Sequence, residues 1–284
     1  MGSLKGLRLR IKSIKSTQKI TAAMKMVAAA KLRKSQEKVA STKPYVQKVH
    51  QMISHLISQD FEMEVPSLLE TGSDGADLII IMSSEKGLCG SYNSLILKEA
   101  RQHIKKHNEK GESFYLLVVG RKGLDVLKKE YPQNILIFEK DEMKSSYIFA
   151  QELTNQIINW LEVGKIGKVT VVGSVFKSVL VQETQSRTLV PFHRPQKNYV
   201  PCILVEPEAE TLFPELLKKN LIMELYCTMI ESVACEQAAR MTAMDNATRN
   251  AREMIQKLQL VYNQTRQAHI TNELIEIISG AEAL

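Results

Sequence analysis

The sequence has no long apolar run. None of its segments approaches the eighteen or so consecutive apolar residues of a membrane-spanning helix, and no signal-peptide core follows Met1. We therefore expect a soluble chain or one peripheral to a membrane. Cysteine is also scarce, and the spacing of Cys89, Cys202, Cys227 and Cys235 indicates neither a zinc site nor a redox pair. Reduced thiols in a cytosol-like compartment are the expected state.

Motifs for catalysis are missing as well. The loop at 83–90 follows a predicted buried strand, where open α/β sheets often bind phosphate, but it fits neither G-x-G-x-x-G nor G-x-x-x-x-G-K-[ST]. We interpret Lys86 and Cys89 as exposed loop residues in a protein contact. His103 and His107 share a helix face without a third ligand at metal spacing, and we interpret them as a solvated surface pair. The sequence predicts no catalytic residue, cofactor or metal site.

Acidic residues are almost absent from the first 48 residues, where thirteen lysines and arginines face the single acid Glu37, a net charge of 13 minus 1, or +12. Because the whole chain carries +7, the rest sums to 7 minus 12, or −5. The local charge predicts an acidic partner surface. Nucleic acid is the alternative, but no aromatic residue that could stack on bases precedes Tyr45.

The same stretch has a heptad pattern, with seam residues at alternating steps of three and four. This spacing predicts one long helix over 4–56 that winds around a partner helix. The seam is apolar at both ends and polar in its middle. Its residues are Leu4, Leu7, Ile11, Ile14, Gln18, Thr21, Lys25, Ala28, Leu32, Ser35, Val39, Thr42, Val46, Val49, Ile53 and Leu56.

A second heptad pattern predicts another long helix, over 211–279, whose seam is again polar in its middle. Its residues are Met223, Tyr226, Ile230, Val233, Gln237, Arg240, Met244, Ala247, Ala251, Met254, Leu258, Val261, Thr265 and Ala268.

Matching the two polar middles predicts how the helices pair. An unpartnered buried polar group costs about 1 to 3 kcal/mol, so Gln18, Thr21 and Lys25 should face Gln237 and Arg240. This pairing makes the two helices antiparallel.

The same register leaves the end of the second helix uncovered. It sets Leu7 and Ile11 beside Met254 and Ala251, so that the residues after Val261 have no partner helix from this chain. We expect this end to insert into another protein because it continues an apolar stripe. The stripe consists of Ile270, Leu274, Ile277, Ile278 and Ala281.

The middle of the chain alternates strands and helices. Continuous apolar runs predict buried parallel strands at 77–82, 114–119 and 135–138, and residues 168–176 and 179–190 predict a strand pair at a sheet edge. The expected fold class is α/β plus long coiled coil: an antiparallel two-helix coiled coil from the N- and C-terminal helices with a central Rossmann-like α/β domain. The expected domains are the two helices and the domain between them, at residues 1–60, 209–284 and 76–200.

Both ends of the sequence resemble the gamma subunit of the F-type ATP synthase, the central rotor shaft. The family's C-terminal signature is an Ile or Val, Thr, any residue, Glu, two residues, an acid, three residues and Gly-Ala, and it is complete as ITNELIEIISGA at 270–281. The segments YNQTRQA at 262–268 and QKITAAMKMVAAAK at 18–31 are also similar to the family. The loop near residue 85 departs from it, with Glu85-Lys86 in place of an Asp-Arg pair.

The resemblance implies a non-catalytic rotor subunit that carries rotation of a membrane c-ring to the beta subunits, for ATP synthesis or hydrolysis. Its partners would be the alpha and beta subunits of the catalytic hexamer, the epsilon subunit and the c-ring, with no cofactor, nucleic acid or small-molecule substrate. We expect it at the cytoplasmic face of a bacterial plasma membrane, because no transit-peptide junction is visible. The matrix face of the mitochondrial inner membrane is the alternative.

The resemblance also implies specific contacts. Met24 and Arg240 would lie near each other where coupling is set, and Lys86 and Cys89 would approach an acidic segment of the beta subunit. The residues expected to contact a beta-subunit loop are Arg266, Gln267, Thr271 and Glu273. Two alternatives remain: a coiled-coil scaffold does not explain the apolar end, and a nucleotide-binding α/β enzyme needs a phosphate loop that is absent.

Overall fold

The computed structural model describes residues 4–58, 75–136, 146–192 and 209–282. None of the helices in these ranges combines the length and apolarity of a membrane span. The chain divides into two units, a smaller one of Met1–Ala29 with Arg240–Leu284 and a larger one of Ala30–Ala239. The elements are α1 (Leu4–Ser58), β1 (Ala76–Met82), α2 (Tyr92–Lys110), β2 (Phe114–Val119), α3 (Arg121–Glu130), α4 (Tyr147–Glu162), β3 (Ile166–Phe176), β4 (Gln182–Val190) and α5 (Ala209–Glu282).

The larger unit contains a four-stranded sheet with the strand order β2-β1-β3-β4. β1 is parallel to β2 and β3, and β4 pairs antiparallel with β3 at the edge. The centre of β1 is apolar on both faces because helices cover both faces. Leu78 and Ile80 pack in one cluster with α4 and α5, whereas Ile79 and Ile81 pack with α2. This arrangement confirms the predicted α/β class.

The strands predicted at 77–82 and 114–119 are present, but two strand predictions differ from the structure. The strand predicted at 135–138 is reduced to one bridge between Ile135 and Leu116, and its last two residues lie outside the described ranges. The strand pair was expected wholly at an edge, yet β3 lies inside the sheet. β3 is buried along most of its length and pairs with β1 as well, so that the more polar β4 forms the edge.

Within the larger unit, α1 and α5 run antiparallel. Lys43 Nζ lies 2.6 Å from Glu231 Oε1, and His50 Nε2 lies 2.5 Å from Glu224 Oε1. As the residue number increases along α1, the number of the partner on α5 therefore decreases. The hydrogen bond with Glu231 raises the pKa of the Lys43 ammonium.

The helices are antiparallel within the smaller unit as well. Lys25 Nζ lies 2.6 Å from Asp245 Oδ1, and Thr248 Oγ1 donates a hydrogen bond to Thr21 Oγ1 at 2.8 Å. The hydrogen bond from Lys25 keeps the pKa of the Asp245 carboxyl below its usual value. The polar middle of α1 therefore has polar partners on α5, as predicted, but in a different register.

The partners predicted for Thr21 and Lys25, Gln237 and Arg240, are wrong. Lys25 instead pairs with a residue five positions beyond Arg240 (245 minus 240). Charge explains the difference: a guanidinium would repel the Lys25 ammonium, whereas the Asp245 carboxylate neutralises it. Matching by polarity ignored the sign of the charges.

The seam of α1 is confirmed, since all sixteen predicted seam residues are buried or half-buried. The seam of α5 is partly wrong. Three predicted seam residues, Met254, Val261 and Ala268, are exposed, the first two at 48% and 43%. Ile255 and Tyr262, which follow Met254 and Val261, are buried and half-buried. A heptad allows a step of three residues followed by four, or of four followed by three. Because Ile255 and Tyr262 are apolar or aromatic like Met254 and Val261, the spacing could not show which residue of each pair faces α1.

Candidate interaction sites

The last turns of α5 are not covered by the described part of the chain. Thr265 is half-buried, and from Arg266 onward every side chain whose exposure is described is exposed. The predicted uncovered end is therefore confirmed, although full exposure starts at Arg266 and not directly after Val261.

This end carries an exposed apolar stripe, here called the tip stripe: Ile270, Leu274, Ile277 and Ile278, with exposed fractions of 48%, 54%, 68% and 57%. Steps of three and four place these side chains on one side of the helix. Contiguous exposed apolar surface of this kind marks an interaction site.

The four residues expected to contact a beta-subunit loop, Arg266, Gln267, Thr271 and Glu273, are all exposed on this end of α5. Thr271 Oγ1 donates a hydrogen bond to the Gln267 carbonyl at 2.9 Å, and Glu273 Oε1 lies 3.0 Å from His269 Nδ1. These contacts are local to the helix and leave the four residues accessible to a partner.

Met24 and Arg240 lie on the facing helices of the smaller unit. Met24 is half-buried and Arg240 is 9% exposed. Their expected role in coupling stays a prediction.

The loop at 83–91, between β1 and α2, is fixed by Asn93. Asn93 Oδ1 accepts from the Ser84 N–H at 3.0 Å, and Asn93 Nδ2 donates to Ser84 Oγ at 2.7 Å and to Cys89 Sγ at 3.3 Å. Ser84 Oγ in turn donates to the Lys86 carbonyl at 2.8 Å. One amide on α2 thus holds both ends of the loop.

The prediction that Lys86 and Cys89 are both exposed is only half right. Lys86 is exposed, but Cys89 is 2% exposed, because its thiol points toward Asn93 and the core. The exposed apolar residue is Leu88, at 64%, with a φ of 63° that is uncommon for a residue other than glycine. Sequence reasoning missed Leu88, since its spacing carries no signal.

His107 is 8% exposed and is not the solvated partner of His103 that its spacing predicted. Its Nδ1 lies 2.9 Å from Glu112 Oε2 and its Nε2 lies 3.5 Å from Asp77 Oδ2, with Lys168 Nζ 3.7 Å from the same Asp77 oxygen. The three potential ligand atoms lie within 4.8 Å of one another. Because each ring nitrogen of His107 already faces a carboxylate and an ammonium group is close by, contacts within the chain account for this cluster without a metal ion.

A cavity of about 140 Å³ lies at the carboxyl ends of β1 and β2, where a nucleotide would bind in many open sheets. Ligand pockets usually measure about 300 to 1,000 Å³. Tyr92, which lines the cavity, donates a hydrogen bond to the Ser232 carbonyl at 3.2 Å. This cavity is too small for a nucleotide.

Comparison with known proteins shows the family to which the chain is similar. A family model described as ATP synthase matches residues 3–284. The ATP synthase gamma chain of Rhodospirillum rubrum is 40% identical over the full length of both chains.

Two solved structures of ATP synthases also contain a chain similar to this one. A chain of the central stalk/c-ring structure of the Tetrahymena thermophila mitochondrial ATP synthase has a TM-score of 0.59 and 27% identity, covering 80% of this chain and 99% of that one. A chain of the Euglena gracilis mitochondrial ATP synthase has a TM-score of 0.69 at 19% identity, covering 99% and 94%, and shares the fold.

Proposed function

The chain belongs to the ATP synthase gamma chain family, and we propose on this basis that it carries rotation of a membrane c-ring to the catalytic beta subunits. It is a rotor subunit of an F-type ATP synthase. The alpha and beta subunits would surround its uncovered α5 end, and the epsilon subunit and c-ring would bind elsewhere. Neither a general scaffold nor a nucleic-acid-binding protein is favoured.

The tip stripe is the observation that carries this proposal. A single helix that exposes four large aliphatic residues beyond the end of its own helix pair needs an apolar surface from another protein. Arg266, Gln267, Thr271 and Glu273 lie on the same end and would supply polar contacts at the rim of that surface.

Charge supports the same partners. A groove on the first turns of α1 is lined by Lys5, Arg8, Lys12, Lys15 and Lys19, which favours an acidic surface. At the 83–91 loop, Lys86 and Leu88 offer a cation beside an apolar side chain, whereas the buried Cys89 would act only by shaping the loop. We propose that this loop meets the acidic beta-subunit segment.

The reaction would take place in the surrounding ring, with this chain non-catalytic and peripheral on the cytoplasmic face of the membrane. The purified chain should hydrolyse no ATP, and adding it to alpha and beta subunits should restore coupled turnover. ATP hydrolysis by the chain alone would contradict the assignment of the chemistry to its partners.

Two variants test the α5 end. Leu274→Ser and the double change Arg266→Ala with Gln267→Ala should reduce ion-coupled ATP synthesis in membranes several-fold, because each removes contacts made only with other subunits. The thermal midpoint of the isolated chain should not change, since these side chains are exposed in the part of the chain that the structure describes.

Matched controls lie on the covered part of α5. Leu260 is 59% exposed, close to the value for Leu274, and Leu260→Ser should leave ATP synthesis unchanged. The double change Arg252→Ala with Gln256→Ala, also at exposed positions, is the control for the double change at Arg266 and Gln267. Equal effects of the tip and control variants would refute a contact localised at the tip.

A further inference from the structure

The 83–91 loop is bound to two helices at once. On one side, the side chain of Asn93 on α2 makes hydrogen bonds to Ser84 and Cys89. On the other side, the first three N–H groups of α3, which have no acceptor within the helix, all donate to the loop. These three bonds, at 3.0 to 3.2 Å, join Gly123 to Ser83 Oγ, Lys122 to the Ser84 carbonyl and Arg121 to Glu85 Oε2. The shape of the loop is therefore set before any partner binds.

Leu88 occupies an unfavourable backbone conformation in this fixed loop. Its φ of 63° lies in the left-handed region, where glycine and asparagine are more stable than leucine. Burial does little to offset this strain, because 64% of the side chain is exposed. Strained residues of this kind occur mainly at functional sites, where the surrounding structure holds them in place. The hydrogen bonds around the loop supply that support.

The surface around Leu88 is positively charged. The exposed cations of the loop and of the start of α3 are Lys86, Arg121 and Lys122. The Lys122 side chain reaches Gly87, since its Cε lies 3.8 Å from the position that a Cβ there would take. The carboxylate of Glu85 is directed toward the positive end of the α3 dipole. An apolar side chain with cations nearby is complementary to an apolar pocket edged by carboxylates.

We infer that Leu88 is the anchor of the contact between this loop and the acidic segment of the beta subunit, and that Asn93 is its positioning residue. The Leu88 side chain enters an apolar pocket of that segment, and the cations face carboxylates at the edge of the pocket. A side chain buried at the centre of an interface contributes more affinity than charges at its rim, which mainly speed encounter. The inference rests on the proposed function, which supplies the beta subunit as the partner.

The variant Leu88→Asn tests the anchor. Asparagine has a similar size and accepts a positive φ more readily, so the isolated chain should resist urea at least as well as the parent. Its affinity for the alpha and beta subunits, measured by fluorescence titration of the full chain, should fall about ten- to hundredfold, because a buried leucine is lost. Leu88→Met keeps an apolar side chain and should bind within about threefold of the parent.

A control lies at the other end of the sheet. Val163, between α4 and the amino-terminal end of β3, is 76% exposed, and Val163→Asn should leave the affinity unchanged. If Leu88→Asn binds as tightly as the parent chain, the anchor role is overturned. Failure of the parent chain itself to bind the alpha and beta subunits would instead count against the proposed function.

The positioning role of Asn93 requires a comparison in two backgrounds. Asn93→Ala frees the loop, so it should weaken binding about tenfold in the parent chain but less than about twofold in Leu88→Asn, where the anchor is already lost. Asn93→Asp, which keeps an acceptor for the Ser84 N–H, gives the same comparison with a milder change if the alanine variant does not fold. Equal losses in both backgrounds would show that Asn93 does not act through Leu88.

Discussion

Cys227 and Cys235 lie in the interior of the larger unit, and burial determines their chemistry. Removal from water raises the pKa of the Cys227 thiol from 9.0 to about 11 and that of Cys235 to about 12. Because thiolate is the reactive form, two pKa units lower the reactive fraction of Cys227 about a hundredfold at neutral pH.

We therefore expect both thiols to resist iodoacetamide at pH 8 in the native chain and to react within minutes in urea. Peptide mass spectrometry after a timed exposure measures this. Native-state labelling of either residue at the rate found in urea would show that the helix pair around them opens readily.

Gly120 lies where β2 meets α3, with a φ of 106°, and a Cβ atom there would stand 2.2 Å from the Ser83 carbonyl oxygen. Gly120→Ala should lower the free energy of unfolding by more than the roughly 1 to 3 kcal/mol of backbone strain alone, because the 83–91 loop must also move. Gly111→Ala is the control: its φ is 69°, but nothing lies within 4 Å of the added Cβ, so only strain applies. Urea denaturation of both variants measures the two losses in free energy of unfolding. Equal losses would mean that the 83–91 loop moves without a further loss of stability.

At the scale of whole elements, the Lys25–Asp245 pair makes the helix pair of the smaller unit sensitive to acid. The pKa of Asp245 is lowered in the folded chain, so its contribution to stability is present above its unfolded pKa, near 3.8, and is lost as the pH falls through the lower folded value. The stability difference between the parent chain and Asp245→Asn should therefore be present at pH 6 and shrink below about pH 4.

Lys25→Met removes the other member of the pair and should give the same pH profile as Asp245→Asn. Denaturant titrations from pH 3 to pH 6 measure both. A difference between Asp245→Asn and the parent chain that does not change with pH would mean that the ion pair does not form in solution.

Periodicity predicted the elements far better than their partners. It placed α1, α5, β1 and β2 within a few residues, because heptads and continuous apolar runs are local features of a sequence. It could not select between Met254 and Ile255 on the α5 seam, and it could not identify Asp245 as the partner of Lys25. These choices depend on which side chains the other helix presents.

The interaction sites also differ in how far the sequence predicts them. The exposed end of α5 could be predicted, because an apolar stripe that outruns its partner is visible in the sequence. The burial of Cys89 and the exposure of Leu88 could not, because they follow from hydrogen bonds to Asn93 and from an unusual backbone angle at Leu88.

For the molecule as a whole, the separation of charge along the chain predicts how it meets its partners. The +12 on residues 1–48 contrasts with −5 on the rest and should speed encounter with an acidic surface. The association rate with the proposed partners, the alpha and beta subunits, should fall about tenfold or more between 20 and 300 mM salt, because the Debye length shortens over that range. Stopped-flow mixing at several salt concentrations measures this rate.

Replacing Lys12 and Lys15 by glutamine should flatten that salt dependence while leaving the dissociation rate nearly constant. Replacing Lys128 and Lys129, exposed at the end of α3, provides a control of equal charge. The same slope for both pairs would show that net charge, and not its position on α1, controls encounter.

The change in α5 at Thr265, from a covered to an uncovered helix, also has a mechanical meaning. Two helices joined along their length by packed side chains resist bending more than one helix does, because bending them together requires the packed faces to slide. A sideways force on the tip stripe therefore bends the last turns of α5 before it deflects the helix pair. We expect the uncovered end to be a compliant segment in series with the stiffer helix pair, so that part of the work done on it is stored as elastic energy.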